Sequence, residues 1–203
     1  MDAARRSFAD ELYAVSHEHD RALADRLERF RNVEPPTAEL LGVLIRATGA
    51  RRIIELGTSN GYSTIWLADA AEATGGSVVS VDLDPARTQL ARASLATAGL
   101  TDFVELRTED AADVLARSQD GAWEFVFLDA ERPAYPDYLA DLLRTLAPGG
   151  VLAVDNVISH AHELVEFTAL IEAESRLTQT VVPVGAGLRL AVRDRLARSR
   201  LSR

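Results

Sequence analysis

The sequence predicts an α/β fold built on a mainly parallel sheet. Short apolar runs typical of buried strands alternate with longer stretches whose apolar residues recur at helical spacing. Strand, helix and strand in succession imply parallel neighbours whose ends meet at one edge of the sheet. With 203 residues, the chain is long enough for one well-buried domain and short for two. We therefore expect residues 1–203 to form a single domain, with residues 1–36 as an N-terminal helical cover.

Composition and charge exclude several classes of function. Hydrophobic residues make up 47% of the chain, which indicates a packed globular protein. The net charge of −9 argues against non-specific binding of nucleic acid, which needs a basic face. No apolar run approaches the ~20 residues of a membrane span, and no signal-peptide pattern opens the chain, so we expect no membrane partner. The lack of cysteine excludes thiolate metal sites and fits a cytoplasmic enzyme.

All 22 basic residues are arginines, and the chain contains no lysine. Arginine stays protonated at any working pH, so it cannot serve as a general base. Any proton transfer that a lysine would perform must therefore fall to another group.

The N-terminal segment, residues 1–31, reads as an amphipathic helix or helix pair. We expect it to cover the sheet, the mouth of the site or a partner subunit. Pro35 and Pro36 interrupt the helical pattern, and Thr37 is predicted to cap the next helix, which ends at Gly49.

Residues 55–64 join a short apolar strand to a helix through a turn with two glycines. Glycine permits a tight turn and a close approach of the backbone to a ligand. The following helix has free N–H groups that can face a carboxylate, and Ser63 and Thr64 are predicted to cap it. Glu55, at the strand end, is predicted to accept hydrogen bonds from a ligand ammonium group.

A ligand with an amino-acid end fits this turn better than a dinucleotide does. The dinucleotide fingerprint requires glycine at the positions held here by Ser59 and Tyr62. The turn therefore favours S-adenosylmethionine as the cofactor, and a nicotinamide-dependent oxidoreductase is a distant alternative.

Acids also follow the second and third strands. Asp82 follows Gly57 at roughly the separation at which nucleotide-binding units place an acid on the ribose hydroxyls. Asp110 and the backbone amide of Ala111 can bind an adenine edge, with the carboxylate accepting from the exocyclic amine. Capping of the following helix, Ala111–Arg117, explains Asp110 equally well.

The fourth and fifth strands end in oxygen-bearing side chains. Trp123–Leu128 stops at Asp129. Residues 148–150 are predicted to form a turn, and the strand after them, residues 151–154, stops at Asp155 and Asn156. Neighbouring parallel strands lie about 4.8 Å apart, so these side chains can converge at the carboxyl edge. They form a hard-oxygen site suited to Mg²⁺, with Mn²⁺ or Ca²⁺ as alternatives, and a bound cation would lower the pKa of a coordinated hydroxyl. Helix capping and loop shaping are the competing explanation.

Two apolar runs near the C-terminus, separated by a short glycine-containing link, predict a hairpin. Its strands are residues 180–184 and 188–192, and its link is residues 185–187. An arginine-rich solvated tail is expected after it, with Arg193, Arg195, Arg198, Arg200 and Arg203.

Four stretches together resemble the metal-dependent O-methyltransferases of the catechol and caffeoyl-CoA type: residues 55–63, 81–82, 127–130 and 154–157. The similarity runs over residues 33–192. It implies a Rossmann-like seven-stranded sheet with strand order 3-2-1-4-5-7-6, the last strand antiparallel, and helices on both faces. It also implies a small-molecule acceptor and a homodimer.

The resemblance assigns site residues by position. S-adenosylmethionine would contact Glu55, Gly57, Thr58, Ser63, Asp82 and Ala111. The divalent metal would be held by Asp129, Asp155 and Asn156.

The chain departs from the family pattern at the position of the general base. The family pattern after the first metal-binding Asp is Ala-Asp-Lys, and its Lys takes the hydroxyl proton. Here the sequence is Ala130-Glu131-Arg132, so Arg132 can steady a phenolate but cannot accept a proton. Proton removal then falls to the metal, to a metal-bound water, or to His160 in the loop after Asn156. Arg132 and His160 are the candidate catalytic residues.

The leading hypothesis is an S-adenosylmethionine-dependent O-methyltransferase that moves a methyl group to a metal-bound hydroxyl of a small, catechol-like acceptor. One alternative is a metal-independent small-molecule methyltransferase that relies on Arg132 and His160. The other is an S-adenosylmethionine-binding protein without catalysis, acting through its dimer surface.

Overall fold

The computed structural model describes residues 1–195 of the chain. Its strands are β1 (Arg52–Leu56), β2 (Ser77–Asp82), β3 (Val104–Thr108), β4 (Trp123–Leu128), β5 (Leu146–Val154), β6 (Leu177–Val182) and β7 (Leu188–Arg193). Its α-helices are α1 (Ala3–Ala22), α2 (Pro35–Thr48), α3 (Tyr62–Thr74), α4 (Pro85–Ala98), α5 (Ala111–Arg117), α6 (Tyr135–Thr145) and α7 (Val165–Glu172). The predicted tail from residue 196 onwards, including Arg198, Arg200 and Arg203, lies outside the described residues.

The strands form one sheet in the order β3-β2-β1-β4-β5-β7-β6. β1 to β5 are parallel to their neighbours, and β7 is antiparallel to both β5 and β6. The predicted fold class, strand order and antiparallel last strand are confirmed. Among residues 1–195, no helix has the length and apolar character needed to span a membrane.

Both faces of the sheet are buried. Ile53 packs into the core on one face, and its neighbour Ile54 packs into the core on the other, as the alternation of side chains along a strand requires. Residues of α1, α2, α3 and α4 contribute to the first core, and residues of α5, α6 and α7 contribute to the second. Double burial explains why the central strands read as continuous apolar runs.

Several helix ends follow local sequence chemistry. Asp84 caps α4 by accepting a first-turn N–H at 2.8 Å, and α2 ends at Gly49 in a left-handed conformation with φ +67°. The prediction that Thr37 caps α2 is wrong, because the helix begins at Pro35 after Glu34. Proline suits the first turn of a helix, where its missing N–H is not needed.

The two C-terminal strands confirm the predicted hairpin, with different bounds. β6 ends at Val182, which pairs with Leu188 at the start of β7, so the link is longer than predicted. β5 begins at Leu146 and includes the residues 148–150 that the sequence predicts as a turn. Its pairing with β4 shifts register between Trp123 and Phe125, which accommodates this irregular stretch.

Backbone bonds extend the ladder one residue beyond the central strands. The N–H groups of Gly57, Asp129 and Asp155 each donate to a carbonyl of the adjacent strand, at 2.9, 2.9 and 3.2 Å. These bonds fix the three residues side by side at the carboxyl edge, where α/β sheets bind their ligands.

A buried carboxylate joins three helices. Asp69 of α3 is 4% exposed and accepts hydrogen bonds from Arg5 of α1, at 3.1 Å, and from Arg46 of α2. Burial alone would raise the pKa of Asp69, but these guanidinium groups hold the pKa below its ordinary value.

Asp69→Asn is expected to lower the free energy of unfolding by about 1–3 kcal/mol near pH 7, because it removes a charged partner of two arginines. The carboxylate contributes stability that is complete above its unfolded pKa of about 3.9 and is lost as the pH falls through the lower folded value. Urea unfolding of both proteins between about pH 7 and pH 3 checks this. A difference in stability that did not shrink on acidification would contradict it.

Candidate active site

A cavity of about 340 Å³ opens at the carboxyl edge of the sheet. Among the residues predicted for the site, those that line it are Gly57, Ser63, Asp82, Ala111, Asp129, Arg132, Asn156 and His160. Those that do not line it are Glu55, Thr58, Asp110 and Asp155. The sequence therefore brings most of the predicted residues to one cavity, and the remaining four take positions beside or behind it.

Glu55 lies behind the glycine turn and is fully buried. Its carboxylate accepts hydrogen bonds from Ser63 Oγ at 2.5 Å, from Ser80 Oγ at 2.6 Å and from Thr64. Burial raises the pKa of Glu55 to about 7. The prediction that Ser63 and Thr64 cap α3 is wrong, because their hydroxyls serve Glu55 and the helix starts without a side-chain cap. In this structure Glu55 holds the turn in shape and faces hydroxyls rather than the cavity.

Gly57 lets the ends of β1 and β4 approach each other. Its φ is +106°, and a Cβ there would lie 2.1 Å from the carbonyl oxygen of Asp129. Thr58 turns inward, is 1% exposed, and places its Oγ1 2.6 Å from Ser80 Oγ. The turn thus presents Gly57 to the cavity, while Thr58 supports it from inside.

Asp82 connects the end of β2 to the same turn. One carboxylate oxygen accepts the N–H groups of Thr58 and Ser59 at 3.1 and 2.8 Å, and the other accepts the N–H of Asp84 at 2.9 Å. A carboxylate has about four acceptor sites, so some capacity remains for a ligand hydroxyl. Acceptance of two ribose hydroxyls at once, as the sequence predicts, would require one backbone bond to be released.

Asp110 caps α5 by accepting the N–H of Ala112 at 2.7 Å, and it is exposed. Of the two explanations that the sequence left open, the structure therefore shows the cap. Its neighbours Glu109 and Ala111 do line the cavity, as does Tyr138 of α6. Sequence reasoning missed Tyr138, because a tyrosine on a helix gives no signal of where its ring points.

Asp129, Asp155 and Asn156 meet at the edge between β4 and β5. The amide nitrogen of Asn156 donates to Asp129 Oδ1 at 3.1 Å and to Asp155 Oδ2 at 2.9 Å. Asn156 has φ +65°, a conformation that asparagine tolerates better than most residues, and this directs its side chain toward the two acids. The convergence predicted from the strand ends is present in the structure.

The chemistry of this trio fits a hard divalent cation. Asp155 is 2% exposed, and its Oδ1 is buried without a hydrogen-bond partner among the described residues. Burial raises the pKa of both acids, and for Asp155 the nearby charge of Asp129 raises it further. A cation would satisfy the unpartnered oxygen and offset this repulsion, provided that the Asn156 amide turns over to present its oxygen. Within residues 1–195, no group of three His, Cys, Asp or Glu side chains is arranged to bind a metal, so such a site depends on Asn156.

Arg132 lies in the cavity wall and is 4% exposed. Its Nε donates to Glu163 Oε2 at 2.7 Å, and Arg26 donates to Glu163 Oε1 at 2.9 Å. Hydrogen bonds from these two guanidinium groups, that of Arg26 first, lower the pKa of Glu163 to about 2. Glu163 therefore stays ionised and fixes Arg132 beside the trio.

His160 also borders the cavity, and its Nδ1 lies 2.8 Å from Ser159 Oγ. Burial and then the charge of Arg132 lower the pKa of His160. The imidazole is therefore mostly neutral at pH 7 and is able to accept a proton.

The segment between α1 and α2 forms one side of the cavity. Asp20 accepts the N–H groups of Phe30 and Arg31 at 2.7 and 2.8 Å, and Arg31 has φ +56°. The Arg31 guanidinium then reaches Glu131 at 2.5 Å, and Arg87 of α4 donates to two carbonyls of the segment. The sequence predicts a cover over this side of the cavity, but it does not indicate which residues line the cavity. They include Phe30, Asn32 and Val33 of the segment and Arg87 of α4.

The strand order, the glycine turn after β1 and the acid that ends β2 define the Rossmann-like class of S-adenosylmethionine-dependent methyltransferases. The family model described as O-methyltransferase matches residues 18–194, and this chain belongs to that family. It is accordingly an S-adenosylmethionine-dependent O-methyltransferase.

Known proteins with similar sequences carry the same description. A catechol O-methyltransferase of Niastella koreensis is 36% identical over 130 residues, which cover 63% of this chain and 58% of that protein, so the match spans little more than half of its length. A putative O-methyltransferase of Mycobacterium avium is 33% identical over 80% of this chain and 78% of its own length.

Two solved structures resemble this fold closely. The O-methyltransferase from Bacillus cereus in complex with SAH, the demethylated cofactor, is 30% identical with a TM-score of 0.76, covering 93% of this chain and 91% of that one. The O-methyltransferase TomG from Streptomyces achromogenes in complex with SAM, involved in tomaymycin synthesis, is 29% identical with a TM-score of 0.77, covering 96% and 91%.

Proposed function

We propose that this chain methylates a hydroxyl group of a small, catechol-like aromatic acceptor with S-adenosylmethionine as donor and a divalent metal. Asp129, Asp155 and Asn156 would hold the metal, with Mg²⁺ as the first choice and Mn²⁺ or Ca²⁺ as alternatives. The observation that carries the proposal is the meeting of these three side chains beside the turn at Gly57. The similarity to a catechol O-methyltransferase supports the class of acceptor.

The cofactor side of the cavity supports binding of a nucleoside with an amino-acid end. Gly57 and Ser63 border the turn, where an amino-acid moiety would lie, and Asp82 stands at the β2 end with acceptor capacity for a ribose hydroxyl. Ala111 and Tyr138 supply an apolar wall for an adenine ring. In methyl transfer the carbon–sulfur bond of the cofactor breaks as the carbon–oxygen bond forms, so these residues act chiefly by positioning.

The acceptor side must deal with the hydroxyl proton. A divalent cation, when bound, lowers the pKa of an acceptor hydroxyl by charge stabilisation. Arg132 adds a fixed positive charge beside the developing phenolate, and the neutral His160 is able to accept the proton. Glu163 keeps Arg132 in place for this role.

The test is methyl transfer from S-adenosylmethionine to catechol, with and without excess chelator. The proposal expects activity that depends on added Mg²⁺ and is lost with the chelator. Full activity in excess chelator would contradict the metal-dependent part of the proposal, and the methyltransferase activity itself would stand.

One observation favours a metal-independent reaction as the second candidate. The Asn156 amide already donates to both acids, and the charges of Arg31 and Arg132 oppose the burial-driven rise in the pKa of Asp129. Arg132 and His160 would then act without a cation. Calorimetric titration with Mg²⁺ separates the two candidates. Cofactor binding without turnover across a panel of phenols would favour a binding protein without catalysis.

We also propose that the protein acts as a homodimer in the cytoplasm on free small molecules, without nucleic-acid or membrane partners. The acidic composition argues against a nucleic-acid partner, and the lack of cysteine fits the cytoplasm. The dimer is what the resemblance to the caffeoyl-CoA type implies. Sedimentation velocity of the purified chain, with monomer as the contradicting result, tests the dimer.

A further inference from the structure

The acceptor side of the cavity is lined by hydrogen-bond donors without partners. Among the described residues, the only hydrogen bond of Arg132 is from Nε to Glu163, so Nη1 and Nη2 are free to bind a ligand in the cavity. Arg31 Nε and Asn32 Nδ2 are buried without partners. All three residues line the cavity. Unpartnered buried donors are costly, and a ligand rich in acceptor oxygens would satisfy them.

Charge at this side reinforces the need for an anion. Glu163 faces two guanidinium groups, those of Arg26 and Arg132, so this group of three keeps one net positive charge. Arg31 is balanced by Glu131, and the proposed cation would balance Asp129 and Asp155, which leaves Arg132 as the buried residue whose terminal nitrogens are free. A guanidinium edge of this kind matches the two oxygens of a carboxylate.

A carboxylate at this site has two possible sources, namely the amino-acid end of the cofactor and an acceptor that itself has a carboxyl group. Arg132 follows β4 and is fixed by Glu163, which follows β5, whereas the glycine turn and Ser63 follow β1. Arg132 therefore lies on the β4–β5 side of the edge, near enough to Asp129 for its charge to act on that carboxylate, and this is where the acceptor would bind.

We propose that the acceptor is a hydroxylated aromatic acid, and that Arg132 determines this specificity by binding its carboxylate through Nη1 and Nη2. The inference rests on the proposed function for the identity of the reaction. The carboxylate is bound and left unchanged. The methyl–sulfur bond of S-adenosylmethionine breaks as the bond from the methyl carbon to a ring hydroxyl oxygen forms, S-adenosylhomocysteine leaves, and the hydroxyl proton is released to solvent.

The experiment compares protocatechuate, a vicinal diphenol with a ring carboxylate, with its uncharged methyl ester, with Mg²⁺ in every arm. For the wild-type enzyme we expect kcat/KM to be at least about tenfold higher for the acid, as a charge-assisted pair provides. Arg132→Gln is expected to bring the ratio close to one, and Arg132→Lys to give an intermediate value. Arg176→Gln is the matched control, because it changes an exposed arginine that pairs with Glu174 and does not line the cavity, and it is expected to keep the preference.

Binding is measured alongside turnover, by calorimetry of both compounds with S-adenosylhomocysteine present. Tighter binding of the acid without turnover would support this inference and contradict the proposed function. Turnover of both compounds without a preference for the acid would support the proposed function and contradict this inference. If Arg132→Gln lowered the affinity for S-adenosylhomocysteine and left the acid-to-ester ratio unchanged, the free nitrogens would belong to the cofactor carboxylate, and the inference would be overturned. Circular dichroism of each variant establishes that it is folded.

Discussion

Asp155→Asn is expected to lower kcat for methyl transfer by about 100-fold or more while the protein stays folded. The side chain is 2% exposed, and its Oδ1 lacks a partner in the described part of the chain, so the proposed cation would lose a charged ligand. Asparagine has nearly the same shape, and it removes one of two buried negative charges that repel each other. Steady-state kinetics with catechol and thermal unfolding of the metal-free protein check both parts.

Asp120→Asn is the matched control for this change. Asp120 is an exposed acid that pairs with Arg144 on the surface, and it has no contact with the cavity. Its replacement should leave kcat within about twofold, since exposed pairs contribute little. If Asp155→Asn kept wild-type kcat, or lost its activity only because it unfolded, the proposed role of Asp155 would be wrong.

Gly57→Ala is expected to destabilise the protein by about 3 kcal/mol or more and to abolish cofactor binding. The new Cβ would lie 2.1 Å from the oxygen and 2.7 Å from the carbon of the Asp129 carbonyl, so backbone would have to move. The φ of +106° is also unfavourable for any residue with a side chain. Urea unfolding and calorimetry with S-adenosylhomocysteine measure the two effects.

Gly75→Ala separates the backbone strain from the clash. Gly75 has φ +69° at the end of α3, and a Cβ there would meet nothing within 4 Å. This variant should cost only about 1 kcal/mol and keep cofactor affinity. Equal destabilisation by the two substitutions would show that the close approach of β1 and β4 is not what requires glycine at position 57.

The sequence predicts the sheet well because the central strands are buried on both faces. Apart from Glu55, the buried residues of β1 and β4 are apolar on both faces of the sheet. Asp84, Gly49 and Gly99 mark helix ends by local chemistry alone. The errors fall where tertiary contacts override local preference. Residues 148–150 look like a turn but belong to β5, because pairing with β4 is present on both sides of them, at Leu146 and from Val151 onwards.

The position of a site residue can be predicted from the sequence where the end of a strand fixes it. It cannot be predicted where it depends on which tertiary partners the side chain binds. Asp129 and Asn156 reach the cavity because they follow strand ends. Glu55 instead lies within β1, and three hydroxyls bind its carboxylate in the interior. Nothing in the order of residues reveals that Glu163 would hold Arg132, because that ion pair joins loops after different strands.

The most direct measurement is a crystal structure of the protein with S-adenosylhomocysteine and Mn²⁺, with anomalous scattering collected at the manganese edge. We predict a peak bonded to oxygens of Asp129, Asp155 and Asn156, with the Asn156 amide turned over and the sulfur of the cofactor facing the metal. A map in which the cofactor is bound, no anomalous peak lies between these side chains, and Asn156 still donates to both acids would contradict the metal-dependent mechanism.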